Sequence, residues 1–452
     1  MEERVKPHGL NRREFLLAAA ALPPAAALAR PALASAQDKA NIAMWFDTTG
    51  GAETANCIIA TAVDPFNKQG NGITVKATRQ ANGWEATKTA LAGGGGPDIV
   101  GTPGPSFAVE LAKAGQILPL DDLIKKFGWG KRYVPWTLEL GKVSGKIYSL
   151  PSELETLVLY YNKTVFEKNG WKAPKTIDEL MKLAQQVKDA GKIPFAASNA
   201  EWRPANEWFV GEMLNHVAGP DKVYQALTGA IPWTDASFKT AIDDLNEIQQ
   251  KGWFMGGLDR YYTATTDDRY TSLASGDAAM MIEGTWFMSD AETYFGKDAG
   301  FGTDWDWVPM PSTTGEAYFD VGIGSTYSIN KQSKSPDAVA TFLDYYFSPE
   351  MQAKLVSHCN LAPAPVNVPT DKLTGLDPRH IAILDAYNKA LSSKGYGYTT
   401  WTFWPPKTET YLIDNIEKVW AGDMTTEQYL QGMQDTFAQE AKAGLVPPIP
   451  PR

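Results

Sequence analysis

From Asn41 onward the chain alternates short apolar runs with stretches of helical periodicity. Asn41–Phe46 (NIAMWF) reads as a short buried strand and Asp47–Gly51 as a turn, and Ala52–Lys68 follows with apolar positions at helical spacing. Ile73–Ala77 is the next strand, Trp84–Ala92 the next helix, and Pro97–Val100 leads into a third strand. Strand, helix, strand, helix at these intervals predicts an α/β fold with a parallel sheet. Ligands of such sheets bind at the carboxyl ends of the strands. Thr49–Glu53, Gln80–Trp84 and Gly101–Ser106 are therefore candidate site loops. Further on, Ile177–Ala190, Phe238–Lys251 and Pro336–Phe347 show clear apolar stripes and are expected to be helices. The chain contains no internal repeat.

Before Asn41 the pattern changes. Arg12-Arg13 is followed by Phe15, Leu16 and Leu17, then by an alanine-rich run to Ala29 that contains Pro23 and Pro24. Ala34-Ser35-Ala36 offers the small residues that signal peptidase needs. Residues 1–36 thus read as a secretory signal, cleaved after Ala36, and the adjacent arginines suggest the twin-arginine route. Two prolines among many alanines make a poor lipid-facing helix, so a membrane anchor is not expected.

Charge then narrows the choice of partners. Residues 1–36 carry five basic and three acidic side chains, so losing them takes the net charge from −10 to −12. Such a field repels nucleic acid and anionic membranes. At 452 residues the chain exceeds one typical core, and two lobes are expected. His216, His358 and His380 fall into no metal-ligand spacing, and no cofactor or metal is expected. The unusual feature is 15 tryptophans. An indole face packs well on the C–H face of a sugar ring, although any single tryptophan is more often core.

Four segments carry a resemblance: AGGGGPDIV (Ala92–Val100); GKIYSLP (Gly145–Pro151), with YYNKTVFEKNGW (Tyr160–Trp171) and PKTIDEL (Pro174–Leu180) close behind; SGDAAMMIEGTW (Ser275–Trp286); and YSINKQSKSPDAVATFLDYYFSPEMQ (Tyr327–Gln352). In this order and spacing the chain resembles the bacterial extracellular solute-binding proteins, the maltose-binding-protein-like sugar-binding subunits of ABC transporters. The resemblance runs from about Asn41 to the C-terminus. The glycine run alone could suggest a phosphate cradle, but it lacks the terminal Gly-Lys-Ser/Thr of a P-loop.

The resemblance implies a two-lobed periplasmic-binding-protein fold with discontinuous lobes: residues 37–155 plus 324–370, and residues 156–323 plus 371–452. The crossings fall near Glu155–Leu157 and Phe319–Gly324, where the glycines of DVGIGS (Asp320–Ser325) could absorb hinge rotation. It also implies a monomer that binds a sugar between its lobes and hands it to ABC permease subunits in the periplasm. In this topology Cys57 and Cys359 both lie near the rim of the first lobe. An oxidising compartment favours a disulfide between them, and two separate buried thiols are the alternative.

The ligand-binding residues follow from the same correspondence. Glu53 and Thr102 belong to loops after strands of the first lobe, with helix capping an equally good role for Glu53. Glu153 and Glu155 lie beside the first crossing, with surface salt bridging an equally good role for them, and Asp320 lies at the second. Trp202 aligns with a ring-stacking position, Arg203 beside it could bridge to a hydroxyl or to a glutamate, and Trp286 in the EGTW segment is the leading tryptophan candidate. In YTTWTFW (Tyr398–Trp404), Trp401 matches a cleft-facing position, whereas Trp404 could stack or pack. Trp208 is expected in the core. Asp98 is expected to bond backbone at its turn, and Glu283 to emerge facing the cleft.

Other functions compete with this one. A glycoside hydrolase needs two acids at a set separation, and Glu53, Glu153, Glu155 and Glu283 could formally supply them. Within the same fold a polyamine, metal-ion or anion binder is possible. Tyr261-Tyr262 offers a ferric tyrosine pair, and an anion would call for more cleft arginine than the loops contain. The ordered family segments favour binding over catalysis, and the tryptophans favour sugar.

Overall fold

The computed structural model describes residues 40–452, apart from 49–51, 367 and 369–372. The expected signal (1–36) and Thr49–Gly51 of the first site loop lie outside the described residues.

The first expected elements form where the apolar pattern put them. Ala40–Asp47 pairs in parallel with Ile73–Gln80 from Ala40↔Ile73 to Asp47↔Gln80, and Ile99–Thr102 joins its other edge in parallel. Between the first two strands, the segments Glu53–Ile58, Ile59–Val63 and Asp64–Asn67 continue one another as helix, the middle one with the wider π turn. The sheet is then completed by chain from elsewhere. Thr326–Ile329 runs antiparallel to Ile99–Thr102, and Leu150–Pro151 antiparallel to Thr326–Ile329. Adjacent strands are therefore parallel, as expected, only among the first three; Thr326–Ile329 runs against the other four, and Leu150–Pro151 beyond it runs in their direction.

A second sheet has the order Trp305–Val308, Leu157–Asn162, Ala278–Gly284, Ile193–Phe195. Ala278–Gly284 is buried at all seven positions, which is why its sequence is small and apolar throughout except for Glu283. A third, three-stranded sheet sets Phe319–Ile323 between Tyr396–Tyr398 and Leu154–Glu155. Gly322 lies opposite Glu155 and Ile323 opposite Leu154, so the two crossings run side by side as an antiparallel pair. Tyr387 Oη pins them from below by donating to the Glu155 carbonyl at 2.7 Å. The apolar side chains separate into two large clusters. One is built on Ile42, Met44, Phe66 and Phe342, the other on Leu159, Phe209, Ile242 and Trp420.

Local chemistry explains the family-like segments. PKTIDEL is a reciprocal cap: Glu179 N donates to Thr176 Oγ1 at 3.1 Å and Thr176 N to Glu179 Oε2 at 3.2 Å. It starts the helix Ile177–Asp189. Asp98 bonds backbone as expected, accepting from Ala43 N at 2.8 Å, and Ser333 Oγ donates to its other oxygen. Cys57 and Cys359 form a disulfide across 302 residues, with Cα atoms 5.7 Å apart. Of the two readings left open by the sequence, the structure takes the paired one.

Candidate functional site

A cavity of about 320 Å³ opens where elements of the two large sheets meet the crossings. Asp47, Glu53, Thr54 and Pro103 border it from the first sheet's loops. Trp202, Glu207, Trp208, Thr266, Arg269, Tyr270, Trp286 and Asp290 border it from the second, and Glu155, Gly324 and Trp401 from the crossing region. Five residues expected from the sequence are thus brought together: Glu53, Glu155, Trp202, Trp286 and Trp401.

Trp286 follows the last residue of the Ala278–Gly284 strand by two positions and folds back over it. A Cβ on Gly284 would fall 2.1 Å from the indole, so only glycine lets the ring lie there. Its Nε1 donates to Glu283 Oε1, while Glu283 Oε2 takes Arg269 Nε at 3.0 Å. Glu283 is therefore the buried brace beneath Trp286 and does not face the cleft. Between ring centroids, Trp208 lies 4.9 Å and Trp401 6.3 Å from Trp286. Trp208 belongs to the cavity, contrary to the expectation of a core role. Trp401 is fixed through its carbonyl, which accepts from Ser106 Oγ at 3.1 Å. The loop Gly101–Ser106 thus serves the site with Pro103 at the wall and Ser106 behind it.

The remaining expectations resolve differently. Thr102 is buried in the sheet, donating to the Gly104 carbonyl at 2.8 Å and touching Thr326 Oγ1 at 2.6 Å, because Thr326 is its directly opposite residue on the neighbouring strand and the two side chains share one face. Arg203 points outward and grips Glu417 at 2.9 and 3.1 Å and Asp414 at 3.1 Å. It borders a neighbouring groove with Asn82 and Trp84 of the second candidate loop. Asp320 is 1% exposed and faces His216, away from the cavity. Trp404 is wholly buried against Trp233 at 5.1 Å, so of its two roles it packs. Glu153 sits behind the wall, its carboxyl against Glu155 and Ser325. Tyr261 is buried and spends its hydroxyl on Asn206 at 2.6 Å, which removes it from any ferric pair.

The electrostatics of the cavity are one-sided. Asp47, Glu53, Glu155, Glu207 and Asp290 all reach it, against a single arginine whose charge is already matched by Glu283. Burial pushes the Glu155 carboxyl well above the usual carboxylate range, and Glu153 beside it adds to the shift. Burial likewise raises Glu207 to about 8 and Asp290 to about 6. Protonated carboxyls both donate and accept, and ionised ones accept twice, which suits a ligand covered in hydroxyls. Gly324 has its own reason to be glycine: a Cβ there would fall 1.6 Å from the Glu155 carboxyl.

The sequence reading missed Asp47, Glu207, Trp208, Arg269, Tyr270 and Asp290. Asp47 ends the first strand, where the rule for strand ends already pointed. The others sit on helices whose ends converge on the cavity, and nothing in their spacing reports that convergence.

The bacterial extracellular solute-binding protein family model matches residues 29–353. Among curated relatives, an uncharacterized ABC transporter extracellular-binding protein of Pyrococcus horikoshii is 25% identical over 418 residues, covering 88% of this chain and 82% of its own. A probable sugar-binding periplasmic protein of Brucella suis is 27% identical over 422 residues, covering 87% and 91%. Among solved structures, a chitin oligosaccharide binding protein superposes with a TM-score of 0.73 at 23% identity, over 89% of this chain and 99% of its own. No helix among the described residues is long and apolar enough to cross a membrane. With the matched model spanning both large sheets and every cavity residue but Trp401, the chain belongs to the bacterial extracellular solute-binding proteins.

Proposed function

We propose that the protein captures a sugar, a mono- to trisaccharide or a glycoside, in this cavity and delivers it to the permease subunits of an ABC importer. The observation that carries the reading is the ring of four indoles, Trp202, Trp208, Trp286 and Trp401, set among carboxyls around about 320 Å³. Aromatic faces take the apolar faces of sugar rings and carboxyls take the hydroxyls. The size falls in the range of small-molecule sites, roughly 300–1,000 Å³. The names of relatives agree, among them an alpha-glucosides-binding periplasmic protein of Rhizobium meliloti.

In this reading the lobes comprise residues 37–155 plus 324–370 and 156–323 plus 371–452. The protein acts as a monomer after export, with Arg12-Arg13 directing it to the twin-arginine route. The residues we assign to the ligand are Glu53, Glu155, Trp202, Trp286 and Trp401, joined by Glu207, Trp208 and Asp290. An anionic solute is disfavoured, because Arg269 is the single arginine at the cavity and is already paired. No catalysis is assigned.

A thermal-shift panel of neutral sugars, polyamines and carboxylate anions on the mature protein tests the assignment. At about 100 times its dissociation constant a true ligand adds roughly 2.7 kcal/mol. A shift with polyamines or anions but with no sugar overturns the sugar reading. Hydrolysis of nitrophenyl glycosides would replace it with an enzyme.

A further inference from the structure

Away from the cavity, Glu212, His216 and Asp320 converge in the interior. Glu212 ends one turn of the Ala205–Met213 helix, and His216 lies on its continuation Leu214–Ala218, where the turn widens to the π form. Asp320 comes from the crossing strand Phe319–Ile323. Each is 1% exposed. His216 Nε2 lies 3.4 Å from Glu212 Oε2 and 3.6 Å from Asp320 Oδ1, and one donor atom from each of the three falls within 4.8 Å of the others.

We propose that these three side chains bind a divalent transition-metal ion, with zinc fitting the donor set best. Four features support it. The first is spacing: zinc holds imidazole nitrogen and carboxylate oxygen at about 2.0–2.2 Å, so the donors of a tetrahedral site lie about 3.3–3.5 Å from one another. The two separations from His216, 3.4 and 3.6 Å, are close to that edge.

The second is unmet valence. Both ring nitrogens of His216, both oxygens of Asp320 and Oε2 of Glu212 find no hydrogen-bond partner outside the cluster. Buried polar atoms are almost always satisfied, and a group of five orphans in one place calls for an ion or water between them.

The third is the chemistry of the surroundings. Asn215, the nearest amide, is already spent, donating to the Gly211 and Tyr398 carbonyls and accepting from Tyr398 N. Among the described residues neither carboxyl has a lysine or arginine partner, so two ionised carboxyls would carry a buried double negative charge. A divalent ion neutralises it, as buried charges require. Calcium is a poor fit, since it collects about six to eight oxygens.

The fourth is room for the carboxylate. Gly397 presents bare backbone to Asp320, and a Cβ there would fall 1.9 Å from Oδ1. The strand can therefore press its carboxylate into the cluster. An ion at this point would clamp the helix carrying Glu212 and His216 to the crossing strand, and so to the segment that joins the two sheets.

The test is the metal content of the full mature chain, unfolded and refolded with excess zinc, dialysed against EDTA and analysed by mass spectrometry. The expected result is about one zinc per chain, with a melting temperature above that of the chain refolded in EDTA. Asp320→Asn and His216→Gln are expected to retain less than about a tenth of an equivalent. The wild-type content is decisive by itself, should either variant fail to fold. Wild-type protein that retains less than a tenth of an equivalent overturns the site, and so does zinc retained undiminished in both variants.

Discussion

Trp286 is held on two sides, by the bare Gly284 backbone under its face and by the Glu283 carboxylate on its Nε1. A ring fixed in this way loses little freedom when a ligand stacks on it, which is how an aromatic residue becomes a binding anchor. Trp286→Ala is expected to weaken sugar binding by roughly 2–4 kcal/mol, or about 30- to 1000-fold. Trp202→Ala should follow, and then Trp401→Ala. Calorimetry on each variant measures this, and three affinities within about threefold of the parent would remove the site assignment. Trp404→Ala serves as the contrast: buried against Trp233, it should lower the melting temperature and leave affinity nearly unchanged. Glu207 makes a different prediction. Burial lifts its carboxyl to about 8, so the folded protein keeps a proton that the unfolded chain releases near pH 4.5. This side chain therefore costs stability as pH rises from about 4.5, and the loss is complete above about 8. Glu207→Gln cannot ionise. Its melting temperature should exceed the parent's at pH 8, with the difference shrinking toward pH 5.

Elements with one buried face were legible in the sequence, and elements buried all round were not. Ile177–Asp189 and Ala236–Gln250 were readable because their apolar positions repeat on one side. In Ala205–Met213 eight of nine residues are buried, so no stripe marks Trp208 or Glu207 as different from their neighbours. Phe319–Ile323 is buried at all five positions, which hid the fact that Asp320 faces His216 and not the cleft. Trp202, Trp286 and Trp401 were found because they follow strand or loop ends in segments with family likeness. The cysteine pair was open in sequence because spacing says nothing about contact across 302 residues. The cross-link joins the helix after the first strand to the helix Pro349–Cys359, two arms of one core that bracket in sequence the other core's residues from Leu140 to Ile323 but leave those from Ile383 to Phe437 outside. In the loop-entropy description a closure of that length is worth up to about 5 kcal/mol. Reductant, or Cys57→Ser, should therefore lower the melting temperature by several degrees. An unchanged transition would mean that the unfolded chain gains nothing from release.

For the molecule as a whole, the paired crossings Leu154–Glu155 and Phe319–Ile323 are the place where one half could turn against the other. The cavity draws its walls from both sides of that pair, so a ligand touching all of them favours the arrangement in which they are closest. Small-angle scattering with saturating sugar should show a smaller radius of gyration than without it, and an unchanged radius would argue for a rigid cleft. The glycines at the crossing also have a packing role. Gly322 and Gly324 keep space for Thr399, Trp401 and Glu155, and substituting them would clash before it stiffened anything. The clustering of indoles has one more consequence. Four of the 15 tryptophans border the cavity, two of them within 6.3 Å of Trp286. A sugar ring that displaces water from those faces changes the polarity they sense, while Trp129, Trp233, Trp253 and Trp420 stay sealed in the interior. The protein thus carries an intrinsic fluorescent reporter of its own occupancy, readable without any label.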